Sequence, residues 1–240
     1  TGTRRINPRE LVGSVGCVSG AGHEALNLLY ASAQPRRGPR RTGFYDLTTH
    51  LPWIGERTRA LDGAHVEFMR GIANPVGVKL GPKADPAGVV ELTGALNPDN
   101  EPGKLVLITR MGVGNVDAAL PGLVDTVTKA GRRVLWIADP MHGNGIVTEG
   151  GIKTRSFDAI SEELRKTCAI HKAAGTVLGG VHFELTGEDV TECIGGASGV
   201  TEECLTRNYV SLCDPRLNYQ QSLELAFELA ELLRNGGAGH

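Results

Sequence analysis

Apolar and polar positions along this chain form two alternating kinds of segment. Short apolar runs, many of them rich in valine, leucine and isoleucine, predict β-strands. Longer segments with apolar residues three and four positions apart predict amphipathic helices. The predicted strands are residues 11–18, 76–80, 105–109, 134–138, 178–184 and 209–213. The predicted helices are residues 60–72, 116–130, 157–174 and 219–234, and the last is followed by the pair Gly236 and Gly237.

This alternation of strands and helices predicts an α/β fold with a parallel sheet and right-handed crossovers. The spacing between strands favours a (β/α) barrel of the TIM type over a doubly wound sheet. In such a barrel the reactive groups lie at the carboxyl ends of the strands. The chain contains no internal repeat and no low-complexity linker, so we expect one domain over residues 1–240.

Composition and charge exclude several function classes. The formal net charge of -2 leaves no basic stripe for nucleic acid, and no apolar run approaches the roughly 20 residues that span a bilayer. The polar residues 1–10 lack the apolar stretch of a signal peptide, so we expect a cytoplasmic protein. The 5 cysteines are an odd number and form no C-x-x-C pair, which argues against a disulfide framework and a zinc knuckle.

Histidine and carboxylate side chains lie where the later apolar runs end. In an extended strand, residues two apart point to the same side, so His182 and Glu184 can converge on one point. His142 and Asp214 would join them from neighbouring strand ends. Imidazole and carboxylate ligands suit manganese, iron, cobalt or zinc. Alternatively, His182 is a hydrogen-bonded core histidine and Glu184 caps a helix.

Cationic side chains close earlier apolar runs. Lys79 and Arg110 would reach the barrel mouth, where Arg57 could add a bidentate fork. Three cations aimed at one place suit a ligand with a phosphate and a carboxylate. The alternative is solvated surface charge, the usual environment of lysine and arginine.

Several long motifs carry a family resemblance that covers about residues 23–234. They include WIGERTR at 53–59, ANPVGVKLGP at 73–82, DPMHGN at 139–144, GGVHFELTG at 179–187 and CDPRLN at 213–218. These motifs resemble the class II (plant-type) 3-deoxy-D-arabino-heptulosonate 7-phosphate (DAHP) synthases. The resemblance implies a metal-dependent (β/α) barrel and a transferase that condenses phosphoenolpyruvate with erythrose 4-phosphate. This reaction is the first step of the shikimate pathway, which leads to the aromatic amino acids.

The resemblance also implies a metal centre. His142, Glu184 and Asp214 would be ligands of a divalent ion, with manganese expected first and cobalt, iron or zinc as alternatives. Val15-Gly16-Cys17 resembles the strand-one motif of the family, which would make Cys17 a fourth ligand. The alternative for Cys17 is a small buried thiol.

The remaining roles that the resemblance implies concern the substrate. Arg57, Lys79 and Arg110 would bind the phosphate and carboxylate of phosphoenolpyruvate, with Trp53 and Glu56 lining the same site. Lys79 and Glu56 are the expected catalytic groups, and Lys79 is placed as a proton donor. Lysine fits this role because its ammonium group can both anchor an anion and give up a proton.

The chain also departs from the family pattern. It lacks the N-terminal section and the Lys-Pro-Arg-Ser motif that grips the sugar phosphate, and it has six strand candidates where a barrel has eight. Open parallel edges would then be covered by a rearranged barrel or by a homo-oligomer, which we expect.

Two functions of different class stay open. The first is an enzyme that joins phosphoenolpyruvate to erythrose 4-phosphate or to a different aldehyde. The second is a catalytically silent homologue that binds a phosphorylated ligand, or that acts as a regulatory or structural partner of a full-length synthase. The presence of the family's site residues in the matching part favours the enzyme.

Overall fold

A six-stranded parallel sheet forms the centre of the computed structural model, which describes residues 22–38 and 42–236. The strands are β1 Gly22–Glu24, β2 Arg36–Arg37, β3 Phe44–Tyr45, β4 Leu51–Ile54, β5 Val76–Leu80, β6 Leu105–Thr109, β7 Leu135–Ala138, β8 Gly145–Val147, β9 Lys153–Arg155 and β10 Leu178–Val181. The main sheet has the order β1-β4-β5-β6-β7-β10, with every pair parallel. Two short antiparallel pairs, β2 with β3 and β8 with β9, lie outside it.

Helices connect successive strands of this sheet and pack against one another in sequence order. They are α1 Leu28–Ala31, α2 Ala64–Arg70, α3 Pro86–Leu96, α4 Val116–Lys129, α5 Phe157–Ala173 and α6 Tyr219–Gly236. Short 3₁₀ turns occupy Glu56–Thr58 and Glu202–Arg207. Neighbouring helices from α2 to α6 contact each other along the outside of the sheet. This layer of helices over parallel strands is the arrangement of a β/α unit repeated several times.

The core lies around the two central strands. All residues of β5 and β6 are buried, including Val78, Leu80 and Leu107. Strands buried on both faces carry uninterrupted apolar runs instead of alternating ones. This burial explains why both strands are recognisable in the sequence.

The structure confirms the predicted α/β class and the parallel sheet of six strands. The predicted strands at residues 76–80 and 105–109 are confirmed with the same ends. Two further predicted strands and all four predicted helices are present with ends shifted by one to four residues. The strand predicted at residues 209–213 is wrong, because that segment is an irregular loop. The prediction did not include β1, β4 or α3, and the strand predicted at residues 11–18 lies outside the described residues. Among the described strands, β1 and β10 remain the two edges of an open sheet.

No helix within residues 22–38 and 42–236 is long and apolar enough to cross a membrane.

A buried histidine lies between the last turn of α5 and strand β7, away from the carboxyl ends of the strands. His171, on α5, has only 1% of its surface exposed and its ring lies 5.5 Å from that of Trp136. Its Nδ1 is 2.8 Å from Thr176 Oγ1, whereas its Nε2 has no partner among the described residues. Burial lowers the pKa of His171 to about 4, because the charged imidazole loses its hydration.

This histidine should make the stability of the fold depend on pH. The unfolded chain, with a histidine pKa near 6.5, binds more protons than the folded chain between pH 4 and 6.5. The free energy of unfolding therefore falls as the pH falls from 7 to 4, and His171 accounts for about 3 kcal/mol of that fall. We expect the free energy of unfolding of His171→Phe, measured with urea, to fall by about 3 kcal/mol less than that of the wild type between pH 7 and pH 4. Equal pH dependence in the two proteins would contradict this assignment.

Candidate active site

A cavity of about 1080 Å³ opens at the carboxyl ends of the parallel strands. Its wall contains every predicted site residue that lies within the described part of the chain, namely Trp53, Glu56, Arg57, Lys79, Arg110, His142, Glu184 and Asp214. Carboxyl ends of neighbouring parallel strands meet at one edge of the sheet, which explains this convergence. Cys17 lies outside the described residues.

Three side chains form a possible metal site on one wall of this cavity. His142 Nε2 lies 3.1 Å from Glu184 Oε1 and 3.8 Å from Asp214 Oδ2. One ligand atom from each residue lies within 4.8 Å of the others. One imidazole nitrogen and two carboxylate oxygens fit a first-row divalent metal, so the donor set agrees with the implied ion.

Asp139 orients the histidine of this cluster. Its carboxylate is fully buried, and His142 Nδ1 lies 2.8 Å from Oδ2 and 2.9 Å from Oδ1. Because Nδ1–H donates to Asp139, Nε2 faces Glu184 and Asp214. Burial lowers the pKa of His142, but hydrogen bonds to Asp139 and Glu184 outweigh it and raise the pKa to about 9. A metal ion at this site would replace a proton on Nε2.

His182 is placed differently from the expectation based on strand geometry. Strand β10 ends at Val181, so His182 and Glu184 do not lie on one regular strand. The His182 ring instead packs edge-on against Trp53, with ring centres 5.0 Å apart. It belongs to a second cluster with Asp139 and His142 and not to the cluster with Glu184. Burial lowers the pKa of His182 to about 4, which keeps this ring neutral near pH 7.

Cations line the cavity wall next to this histidine cluster. Lys79 is buried, donates to Asp139 and lies 5.5 Å from the centre of the Trp53 ring. Burial lowers the pKa of Lys79, and nearby Arg110 acts in the same direction against the opposing charge of Asp139. Arg110 donates to the backbone carbonyl of His142. Arg57 is exposed at the cavity and forms no ion pair with any residue that the structure describes.

Glu56 is held firmly at the cavity edge. Its Oε2 accepts a hydrogen bond of 2.5 Å from the backbone N–H of Gly81, directly after β5, and its Oε1 accepts from Arg59 at 3.1 Å. Both carboxylate oxygens therefore have partners. The observed contacts place Glu56 as a link between the turn after β4 and the end of β5.

Two cations of the site are absent from the sequence-based prediction. Arg155, buried at the end of β9, lies 2.5 Å from Glu184 Oε2, and Lys153 donates to Asp214. Burial opposes ionisation of both acids, but hydrogen bonds and these positive charges outweigh it, so the pKa of Glu184 and that of Asp214 are lowered. Neither residue ends a long apolar run, and their partners are distant in sequence. No local pattern could have identified them.

The loops after β6 and β7 touch through their backbones. A Cβ atom at Gly143 would lie 2.3 Å from the amide nitrogen of Gly112, so only glycine fits there. Glu163, from α5, accepts hydrogen bonds from the amides of Met111 and Gly112 at 2.9 and 3.0 Å, and from Asn144 at 2.5 Å. One buried carboxylate thus joins the two loops that carry Arg110 and His142.

A second buried glutamate shapes the loop of residues 209–216. Glu192 accepts from the amides of Val210, Ser211 and Arg216 at 3.1, 2.8 and 2.8 Å. It also accepts from the guanidinium group of Arg216 at 2.7 and 3.0 Å. These bonds use amides that a sheet would otherwise use, which explains why the predicted strand is a loop. They also fix the segment that presents Asp214.

Comparisons with known proteins agree with the motifs. The sequence model of the class-II DAHP synthetase family matches residues 17–230. The chain is 51% identical over 220 residues to the phospho-2-dehydro-3-deoxyheptonate aldolase AroG of Mycolicibacterium smegmatis, covering 90% of this chain and 47% of that protein. It is 48% identical over 213 residues to the phospho-2-dehydro-3-deoxyheptonate aldolase of Streptomyces coelicolor, covering 89% and 47%.

Among solved structures, a phospho-2-dehydro-3-deoxyheptonate aldolase from Francisella tularensis is similar with a TM-score of 0.49 and 17% identity, over 78% of this chain and 56% of that one. The chain spans about half the length of the curated relatives it matches. The family model, by contrast, matches most of this chain, residues 17–230. On that match and on the identity to both curated relatives, the chain belongs to the class-II DAHP synthetase family.

Proposed function

We propose that this chain is a transferase of the DAHP synthase type, which condenses phosphoenolpyruvate with an aldehyde and releases phosphate. The observation that carries the proposal is the single cavity that brings together Lys79, Arg57 and Arg110 with the cluster of His142, Glu184 and Asp214. Cations beside a potential metal site are what a phosphorylated enol acid and an aldehyde require in one place. A regulatory partner that performs no reaction would need neither group.

The proposed metal ligands are His142, Glu184 and Asp214, with Cys17 as a further candidate outside the described residues. Manganese is the first choice, and cobalt, iron or zinc have the same preference for nitrogen and oxygen donors. A metal held there would polarise the carbonyl group of the aldehyde. Asp139 contributes by holding the His142 ring with Nε2 toward the two acids.

The proposed phosphoenolpyruvate site uses the cations. Arg57 has no described ion-pair partner and is exposed to the cavity, so its fork can bind a phosphate or a carboxylate through two hydrogen bonds. Arg110 and Lys79 lie in the same wall and hold the remaining negative charge. Trp53 supplies a flat apolar face beside Lys79.

The same residues support a sequence of steps. The enol carbon of phosphoenolpyruvate bonds to the aldehyde carbon, and Lys79 gives a proton to the former carbonyl oxygen. A lysine whose pKa is lowered by burial is a better acid at neutral pH than an exposed one. The new bond uses the electron pair of the C=C double bond, so the carbon that bears the phosphate becomes electron-deficient. Water adds to that carbon and returns one proton to the Lys79 amine. The remaining hydroxyl group passes its proton to the phosphate as the C=O bond forms, and phosphate leaves while the arginines hold its charge.

The acceptor and the assembly complete the proposal. Family members grip erythrose 4-phosphate through a Lys-Pro-Arg-Ser motif, which this sequence lacks. In the basic segment after Gln34, Arg36 donates to the carbonyls of Ala33 and Pro35, and Arg37 lies over the ring of Phe44. Arg40 and Arg41 lie outside the described residues. We propose erythrose 4-phosphate or a different aldehyde as the acceptor. A single domain that assembles as a homo-oligomer is consistent with the open edges at β1 and β10.

Metal binding tests the first part of this proposal. We expect the purified protein to retain about one manganese ion per chain after reconstitution and removal of excess metal, and His142→Ala to abolish it, because an imidazole ligand is lost. His65→Ala, which changes a histidine outside the cavity, should bind as the wild type does. Elemental analysis gives the ratio of metal to protein. Metal-free wild-type protein after reconstitution would refute the metal site.

Phosphoenolpyruvate binding tests the cation site. Calorimetry should detect binding, and Arg110→Ala should weaken it by about 2 to 5 kcal/mol, as expected when one partner of a desolvated charge pair is removed. Arg133→Ala is the matched control, because Arg133 is an exposed arginine near the opposite end of β7. Equal affinity of the Arg110 variant and the wild type would remove Arg110 from the site.

Phosphate release with a panel of aldehydes tests the reaction itself. We expect metal-dependent release from phosphoenolpyruvate with at least one aldehyde. For the 240-residue chain tested by itself, we expect a rate with erythrose 4-phosphate far below that of a full-length synthase, because these residues contain no Lys-Pro-Arg-Ser motif to position the sugar phosphate. Full activity with erythrose 4-phosphate would contradict the proposed difference in acceptor. Absence of release with every aldehyde, despite bound phosphoenolpyruvate, would favour a silent homologue.

A further inference from the structure

Arg155 is the most deeply buried cation at the candidate site. It has only 1% of its surface exposed and lies at the end of β9, outside the main parallel sheet. Its Nη1 lies 2.5 Å from Glu184 Oε2 and also donates to the carbonyl of Pro215. Its Nη2 lies 3.8 Å from Asp214 Oδ1. A single guanidinium group therefore lies beside both acids of the cluster and bonds to the backbone next to Asp214.

The two carboxylate oxygens of Glu184 have different partners, Arg155 and His142. One oxygen, Oε2, is bonded to Arg155, and the other, Oε1, lies 3.1 Å from Nε2 of His142. Since a planar guanidinium group has its donors in fixed directions, it restrains the rotation of the carboxylate it binds. The bond to Pro215 restrains the backbone directly after Asp214. Both acids are thus aimed toward the histidine.

The backbone of Arg155 is itself fixed. Its carbonyl accepts from the amide of Ile194 at 2.9 Å, and the neighbouring Thr154 donates to the carbonyl of Glu192 at 2.8 Å. Lys153 offers a contrast, because it is exposed and its side chain forms an ion pair with Asp214 but with no other described residue. A flexible, solvated ammonium group cannot fix a direction as a buried fork does.

We propose that Arg155 is a positioning residue of the metal centre, which holds Glu184 and Asp214 in the arrangement that a divalent ion requires. This inference rests on the proposed function of the cluster. Without the fork, two converging carboxylates repel each other and can turn away from His142. Partners that orient metal ligands in this way typically change metal affinity about 10- to 100-fold when they are removed.

A role in positioning can be distinguished from a role through charge alone. Arg155→Lys keeps the positive charge but lacks the planar fork, whereas Arg155→Gln removes the charge. If charge alone mattered, the lysine variant would match the wild type, and the glutamine variant would bind a cation more tightly. Positioning requires weaker binding by both variants. Arg132→Lys is the matched control, because Arg132 also donates to two carbonyls and lies far from the cavity.

Titration with Co²⁺, followed by its visible absorption, measures affinity and ligand geometry together. We expect about 10- to 100-fold weaker binding and a shifted absorption band for Arg155→Lys, with wild-type behaviour for Arg132→Lys. Circular dichroism establishes that each variant is folded, and Arg155→Gln serves if the lysine variant does not fold. Wild-type affinity and spectrum in a folded Arg155 variant would overturn the proposal.

Failure of the metal site itself gives a different result. If the wild-type protein binds no Co²⁺, the proposed metal centre is refuted. Crystal structures of metal-free wild type and variant then test Arg155 directly. The proposal requires the Glu184 and Asp214 carboxylates to move apart in the variant. Unchanged positions would overturn it.

Discussion

The buried carboxylate of Asp139 is the interaction on which the rest of the site depends. It has no exposed surface, and it accepts hydrogen bonds from Lys79 on β5 and from His142 beyond β7. A buried charge is tolerated only where partners replace its hydration, and removal of either partner leaves the other charges uncompensated. Asp139 therefore links the cationic half of the cavity to the half that can bind metal.

Two further buried acids extend this principle to the loops. Glu163 joins the loops after β6 and β7, and Glu192 accepts from the amides of Val210, Ser211 and Arg216. A carboxylate that accepts several backbone N–H groups replaces the ladder of a sheet where the chain must leave regular structure. The cavity wall is consequently irregular in shape but well supplied with hydrogen bonds.

The sequence predicts the strands of the core better than it predicts the site. Residues 76–80 and 105–109 are recognisable because both faces of each strand are buried, which leaves continuous apolar runs. The sequence of residues 209–213 is typical of a strand. In the structure, however, the amides of Val210 and Ser211 donate to the side chain of Glu192 and not to a neighbouring strand. The family motifs predict His142 without regard to strand geometry. Arg155 has no local signal, since its partners are 29 and 60 residues away.

The candidate site therefore consists of two parts with different mechanical support. Lys79 lies within β5 and Arg110 directly follows β6, so the hydrogen bonds of the parallel sheet fix their backbones. Glu184 and Asp214 lie beyond β10. The carbonyl of Glu184 accepts from the amide of Leu217 at 2.9 Å, and side-chain contacts from Arg155 restrain both acids in addition. Side-chain contacts are individually weaker restraints than a paired strand within the core. The two acids of the candidate metal cluster therefore depend more on side-chain contacts than Lys79 and Arg110 do.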